Sequence, residues 1–75
     1  MPHTSPPAIG PVLRSLRQQR GLSQEDLAAK AGMHRNYIGG IERGEKSPTI
    51  NSVSRILAAL GVTWTELGKA LDGES

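Results

Sequence analysis

The chain has 75 residues, enough for one small domain near the lower limit at which a single hydrophobic core is stable. It contains no cysteine, which excludes disulfides and thiolate metal sites and leaves oligomerisation as the way to add stability. Residues 1–60 hold eight Lys and Arg against four acidic residues, whereas residues 61–75 hold one Lys against three acidic residues. This uneven distribution favours a basic face for a polyanion and an end that lies away from it.

Residues 1–7 have no signal-peptide pattern and are predicted to form a flexible N-terminal tail. No apolar run approaches the roughly 18–20 residues that cross a bilayer. The sequence therefore predicts no membrane partner, and the lack of cysteine fits a cytoplasmic protein.

Glycines at positions 21, 32, 44 and 61 divide the rest of the chain into short segments. Apolar residues recur within these segments at helical intervals, and no segment alternates with the period of a strand. We predict an all-α domain over residues 8–72, followed by a C-terminal tail at 73–75. Its helices are expected at about 8–20, 24–31, 35–43, 50–60 and 64–71.

Four of the predicted helices begin with the same local pattern, a capping residue followed four positions later by an apolar residue. Ser23 and Thr63 are the strongest caps, with Asp26 and Glu66 three residues beyond them. Thr49 caps the fourth helix after a proline, and His34 takes the cap position of the third although histidine is a poor cap.

Only Gly32 and its immediate neighbours separate the second and third helices. A linker of three or four residues with a glycine makes two helices cross at roughly 90–120°. Ala28 is small on the inner side of the second helix, where the third must approach closely. The arrangement is typical of a helix-turn-helix, although any tight corner in a small helical domain has a similar linker.

At these residues the chain resembles the helix-turn-helix family of phage repressor, Cro and related bacterial regulators, the XRE type. The resemblance covers residues 9–71 and is carried by the segments GLSQEDLA (21–28), AG (31–32), YIGGIERG (37–44) and ALGV (59–62). It implies a compact five-helix, lambda-repressor-like DNA-binding domain with the helix-turn-helix at helices two and three. Residues 34–37 and the small size most resemble the controller proteins of restriction–modification systems.

In this family the third helix enters the major groove with its N-terminal residues on base edges. The resemblance therefore assigns base contacts to Arg35, Asn36 and His34. Arginine can donate two hydrogen bonds to guanine, and asparagine can bond adenine in the same bidentate way. Without the motif, these would be ordinary solvated residues in the first turn of a helix.

Phosphate contacts are expected from residues that flank the recognition helix: Gln24, Tyr37, Arg43 and Lys46. Gln24 opens the second helix, where the helix N-terminus suits an anion. Tyr37 has an alternative role as a half-buried packing residue, and Arg14 and Arg20 are interpreted as solvated.

Gly39 and Gly40 are unusual inside a helix, where each costs roughly 1 kcal/mol relative to alanine. One interpretation is that they allow the helix backbone to approach the DNA closely. The other is that they occupy a tolerant surface.

The family pairs an arginine of helix one with a glutamate of helix three, which assigns Arg17 and Glu42 to a structural ion pair. We also expect a two-fold dimer, because a monomer reads only one half-site of a roughly palindromic operator. The apolar residues assigned to the dimer interface lie on helix five and its approach: Val62, Trp64, Leu67 and Leu71, with Val12 as a further candidate.

An enzyme is not expected, since the sequence has no paired-carboxylate motif, no phosphate-binding glycine loop and no second domain to form a cleft. No cofactor and no metal are predicted, because two histidines are too few for a metal site. The expected partners are double-stranded DNA and a second copy of the chain, with RNA polymerase left open. A DNA-binding antitoxin is the main alternative function, and a protein-interaction module in the same fold is a third.

Overall fold

The structure is a computed structural model that describes residues 9–73. This part of the chain forms five α-helices: α1 (Ile9–Gln19), α2 (Gln24–Ala31), α3 (Arg35–Glu42), α4 (Ile50–Leu60) and α5 (Trp64–Gly73). It contains no strand, so the predicted all-α class and helix order are confirmed. Helix α5 continues through Gly73, where a tail was expected to begin, and the predicted tail at 1–7 lies outside the described residues. None of the described helices is long and apolar enough to cross a membrane.

Side chains fix the helix starts where the sequence predicts them. Ser23 Oγ accepts from the backbone N–H of Asp26 at 3.0 Å, while the Ser23 N–H donates to the Asp26 carboxylate at 3.0 Å. Thr63 and Glu66 form the same reciprocal pair at the start of α5. These hydrogen bonds lower the pKa of both carboxyl groups, Asp26 and Glu66. Both predicted caps are therefore confirmed, and each forms a reciprocal capping box with the residue three positions beyond it.

The corner between α2 and α3 depends on Gly32, whose φ of 67° lies in the left-handed region that favours glycine. Arg55 of α4 adds a contact that the sequence did not predict. Its Nε donates to the Ala31 carbonyl at 3.1 Å, and its Nη2 donates to the Gly32 carbonyl at 2.6 Å. A side chain from α4 thus binds the terminal carbonyls of α2, which have no partner within the helix, and holds the corner against the rest of the domain.

The core includes residues that were assigned to a dimer interface. Val62 is 6% exposed and Leu67 is 3% exposed, because both pack against the other core residues of the same chain. Val12 is buried there as well. The assignment of these three residues to the dimer interface is therefore wrong, because the chain's own helices cover them. Trp64 remains 49% exposed, and Leu71 is half-buried.

Arg17 and Glu42 form the predicted ion pair between α1 and α3. Arg17 Nε donates to Glu42 Oε2 at 2.7 Å and Nη2 donates to Oε1 at 3.0 Å. Arg17 Nη1 also donates to the Leu22 carbonyl at 2.7 Å, so the guanidinium joins α1, the α1–α2 connection and α3. Both residues are buried, and the fork geometry satisfies the buried charges.

Burial by itself raises the pKa of the Glu42 carboxyl. Hydrogen bonds from Arg17 and Gln24, with the positive charge of Arg17, outweigh this effect and hold the pKa below its usual value. The carboxylate is therefore charged at neutral pH.

A second feature of the α1–α3 contact is the close approach of the two backbones at Gly10. A Cβ atom on Gly10 would overlap the carbonyl oxygen of Ile41 and would lie 2.9 Å from that of Glu42. Because the obstacle is backbone and not a flexible side chain, only glycine fits without moving one helix.

We expect Gly10→Ala to destabilise the domain by at least about 1–3 kcal/mol, the usual cost of forcing extra atoms into a packed interior. The measurement is the free energy of unfolding from urea denaturation. Gly68→Ala is the matched control, because Gly68 lies in α5 with open space around its missing Cβ. The control should be neutral or stabilised by up to about 1 kcal/mol. Equal stability of Gly10→Ala and the wild type would show that the two backbones are not in contact.

Arg17→Ala should destabilise the domain by about 3–5 kcal/mol, since it leaves the buried Glu42 carboxylate without its cation. The double variant Arg17→Met/Glu42→Leu should recover most of this stability, because it removes both charges together. Thermal melts that show a destabilisation below about 0.5 kcal/mol for Arg17→Ala would mean that the pair behaves as an exposed one.

The wild type should also lose stability in acid, because protonation of Glu42 removes the charge that pairs with Arg17. A carboxyl with a lowered folded pKa contributes stability that is fully present above its unfolded pKa. This contribution disappears as the pH falls through the lower pKa of Glu42 in the folded state. Denaturation series across the acidic range should show this decrease in the wild type and a smaller one in the double variant.

Candidate nucleic-acid interface

The first turn of α3 presents Arg35 and Asn36 to solvent, as the sequence predicts. His34 is the cap of this turn, and its Nδ1 accepts from the Asn36 N–H at 3.0 Å. The histidine therefore stabilises the helix start as well as being exposed beside it. Arg35 Nη1 lies 3.7 Å from Glu25 Oε1, with 60% and 74% of the two side chains exposed. Such an exposed pair is weak, so it leaves the guanidinium free to exchange partners.

Gln24, at the first position of α2, lies against the buried ion pair. Its Nε2 donates to Glu42 Oε1 at 3.0 Å, and the side chain is half-buried. One N–H of the Gln24 amide makes this bond, and the other can donate to a second acceptor. The same residue therefore connects the start of α2 to α3 and keeps a donor at the helix N-terminus.

The half-buried Tyr37 packs against the core, and its hydroxyl lies 3.2 Å from Ser52 Oγ. Thr49 Oγ1, which caps α4, also donates to Ser52 Oγ at 3.0 Å. These hydroxyls link α3 to the start of α4. The packing role of Tyr37 is thus present in the structure, and its phosphate contact stays a prediction.

Gly39 and Gly40 do not expose the backbone of the recognition helix. A Cβ on Gly40 would lie 2.9 Å from Lys46 Cδ, and one on Gly39 would lie 2.9 Å from Arg43 Nη1 and 3.5 Å from Gln24 Oε1. Both glycines are buried beneath these side chains. In the structure the missing side chains make room for Lys46, Arg43 and Gln24, and a close approach of DNA to the glycine backbone stays a prediction.

Two exposed cations follow the recognition helix. Arg43 donates from Nε and Nη2 to the Glu45 carboxylate at 2.9 and 3.1 Å. This pairing raises the pKa of Arg43 and lowers that of Glu45. Lys46 is also exposed, with its methylene groups over Gly40. Cationic groups therefore flank the second turn, at the C-terminal end of α3. The exposed polar groups of the first turn lie at the N-terminal end of the same helix.

Within residues 9–73, no group of three or more histidine and acidic side chains is placed to hold a metal ion.

The sequence profile of the helix-turn-helix family matches residues 13–67. The chain is 36% identical over 59 residues to the uncharacterised HTH-type transcriptional regulator y4dJ of Sinorhizobium fredii, which covers 79% of this chain and 77% of that protein. It is 35% identical over 67 residues to the control protein C.MunI of a Mycoplasma species, covering 88% of this chain and 90% of that protein.

The fold is similar to the restriction–modification controller protein C.Esp1396I, whose structure is a tetramer in complex with its natural 35 base-pair operator. The two chains superpose with a TM-score of 0.86 at 35% identity, over 91% of this chain and 90% of that chain. The resemblance to XRE-type regulators and controller proteins is thereby confirmed. The chain belongs to the helix-turn-helix family of transcriptional regulators.

Proposed function

We propose that this protein regulates transcription by binding a roughly palindromic operator as a homodimer, with α3 in the major groove. The observation that carries the proposal is the exposed first turn of α3, where Arg35 and Asn36 extend from a helix fixed by the Arg17–Glu42 pair. The similarity to C.Esp1396I, which is seen on its operator as a tetramer, supports the same use of the fold.

The two turns of α3 have different tasks in this proposal. Arg35 and Asn36, beside His34, have the donors and acceptors that discriminate bases. Lys46, Arg43 and Gln24 surround the glycines of the second turn and bind phosphates, which sets the position of the helix in the groove.

A controller role in a restriction–modification system follows from the relatives, since the control protein C.MunI and the controller C.Esp1396I match nearly the whole chain. A DNA-binding antitoxin would use the same fold but would need a separate surface for a toxin, and no observation favours one. The proposal assigns the protein no catalytic role and a place in the cytoplasm with its DNA.

The dimer surface is expected around Trp64, the first residue of α5. It is 49% exposed, and Leu71 is half-buried further along the same helix. An exposed tryptophan is a typical anchor of a protein interface. A dimer that reads a palindromic operator needs its recognition helices in half-sites roughly 34–36 Å apart.

The division between base reading and phosphate binding predicts different outcomes for two substitutions. Arg35→Ala should weaken binding to the selected operator by roughly 1–3 kcal/mol and remove the preference at one base pair per half-site. Lys46→Ala should weaken selected and scrambled duplexes alike, and it should reduce the salt slope by about one for each phosphate that is no longer neutralised. Fluorescence titrations of both variants at several salt concentrations, with an operator obtained by in vitro selection, make this comparison.

Each variant serves as the other's control, because both side chains are exposed and neither is in the core. If Arg35→Ala lowers the affinity for both duplexes equally and keeps the base preference, then Arg35 binds phosphate. Specificity would then depend on Asn36, His34 or the shape of the DNA.

Trp64→Ala should raise the dimer dissociation constant at least about tenfold, because a central aromatic residue often contributes about 2 kcal/mol or more to an interface. Sedimentation equilibrium measures the constant. Ile50→Ala is the matched control, since Ile50 is 76% exposed and lies at the start of α4. A wild type that stays monomeric at high micromolar concentration, with or without DNA, would contradict the dimer.

A further inference from the structure

A cleft of about 300 Å³ lies where α1, the start of α2 and the end of α3 meet. We call it the phosphate cleft, and its lining residues are Arg14, Arg17, Gln24, Glu42 and Arg43. Three of these residues are cationic and one is anionic. The cleft joins α1, which lies outside the helix-turn-helix, to the two helices of the motif.

The hydrogen bonds given for the acidic residue in the cleft come from its floor, although the charge of Glu42 also acts on the exposed Arg14 and Arg43. Both oxygens of Glu42 accept hydrogen bonds from Arg17, and Oε1 also accepts one from Gln24. Arg17 in turn directs its donors to Glu42 and to the Leu22 carbonyl. The buried floor is therefore internally satisfied.

The exposed charges of the cleft come from opposite walls. Arg14 is exposed on α1, and Arg43 is exposed after α3, where its carboxylate partner Glu45 is also 60% exposed. An exposed pair of this kind is readily exchanged for a phosphate, which accepts the same bidentate donors.

The start of α2 supplies a further attraction for an anion. Gln24 is the first residue of this helix, and the backbone N–H groups of a first turn have no partner within the helix. Ser23 Oγ accepts from the backbone N–H of Asp26, which leaves the N–H groups earlier in the turn to other acceptors. The partial positive charge of this helix end thus adds to the two arginines, against the carboxylates of Glu25 and Asp26 in the same turn.

We propose that the phosphate cleft holds a phosphate of the DNA backbone and that Arg14 is a phosphate-contact residue. The inference rests on the proposed function and extends the DNA contact surface from the helix-turn-helix to α1. No local pattern predicts this role, because an exposed arginine on a first helix resembles any solvated residue. The fold places Arg14 in one cleft with Gln24 and Arg43.

The experiment compares Arg14→Gln, Arg14→Lys and the control Lys69→Gln, which removes an exposed cation from α5. The probe is a fluorescein-labelled duplex of random sequence, titrated between about 50 mM and about 200 mM salt. An Arg14→Gln dimer neutralises two phosphates fewer, so its salt slope should be shallower by about 1.8. Its loss of DNA affinity relative to the wild type should therefore become about tenfold smaller as the salt concentration rises over this range. Arg14→Lys should keep the wild-type slope, and so should Lys69→Gln.

A methylphosphonate scan of the duplex selected in vitro locates the contact. At one phosphate per half-site, removal of the charge should weaken the wild type more than it weakens Arg14→Gln, because the Arg14 share of the interaction is already absent in the variant. Two outcomes would overturn the proposal for Arg14 and leave the proposed function standing. One is that the effects of Arg14→Gln and of charge removal are additive at every phosphate, and the other is that Arg14→Gln has the salt slope of a DNA-binding wild type. No salt-dependent binding by the wild type would overturn the proposed function and the cleft together. Thermal melts of the variants confirm that each is folded.

Discussion

The position of the recognition helix depends on one buried ion pair. Helix α3 has eight residues and two adjacent glycines, so it has little stability of its own. The Arg17–Glu42 pair joins its last residue to α1, and Gln24 adds a bond from α2 to the same carboxylate. Three helices thus meet at one carboxylate, and the side chains of the first turn extend from a support that is fixed by charge and geometry together.

The helix starts, the corner and the ion pair could be predicted because their signals are local or belong to the family motif. A cap and its partner lie three residues apart, and Gly32 occupies the position where a left-handed residue is required. Arg17 follows the core residue Leu16 and Glu42 follows Ile41, so the sequence positions place both at the edge of the core. Their partnership followed from the resemblance, since spacing alone does not pair residues on different helices.

The features that could not be predicted depend on distances between helices. Arg55 lies on α4 and binds carbonyls at the end of α2, and Gly10 meets the backbone of α3. Neither contact has a pattern in the nearby sequence. The same applies to Val62 and Leu67, because an apolar residue fits a chain's own core as well as an interface. Only the packing of α5 and its approach shows that both belong to the core.

The covered glycines have a consequence for how recognition could change during evolution. Lys46 and Arg43 occupy the space of the absent side chains at Gly40 and Gly39, so the second turn offers bases no variable side chain at these positions. In the proposed mode of binding, variation at positions 34–36 would alter the preferred sequence while the contacts to the DNA backbone stay constant. Such a separation favours rapid divergence of operators among proteins that keep one docking geometry.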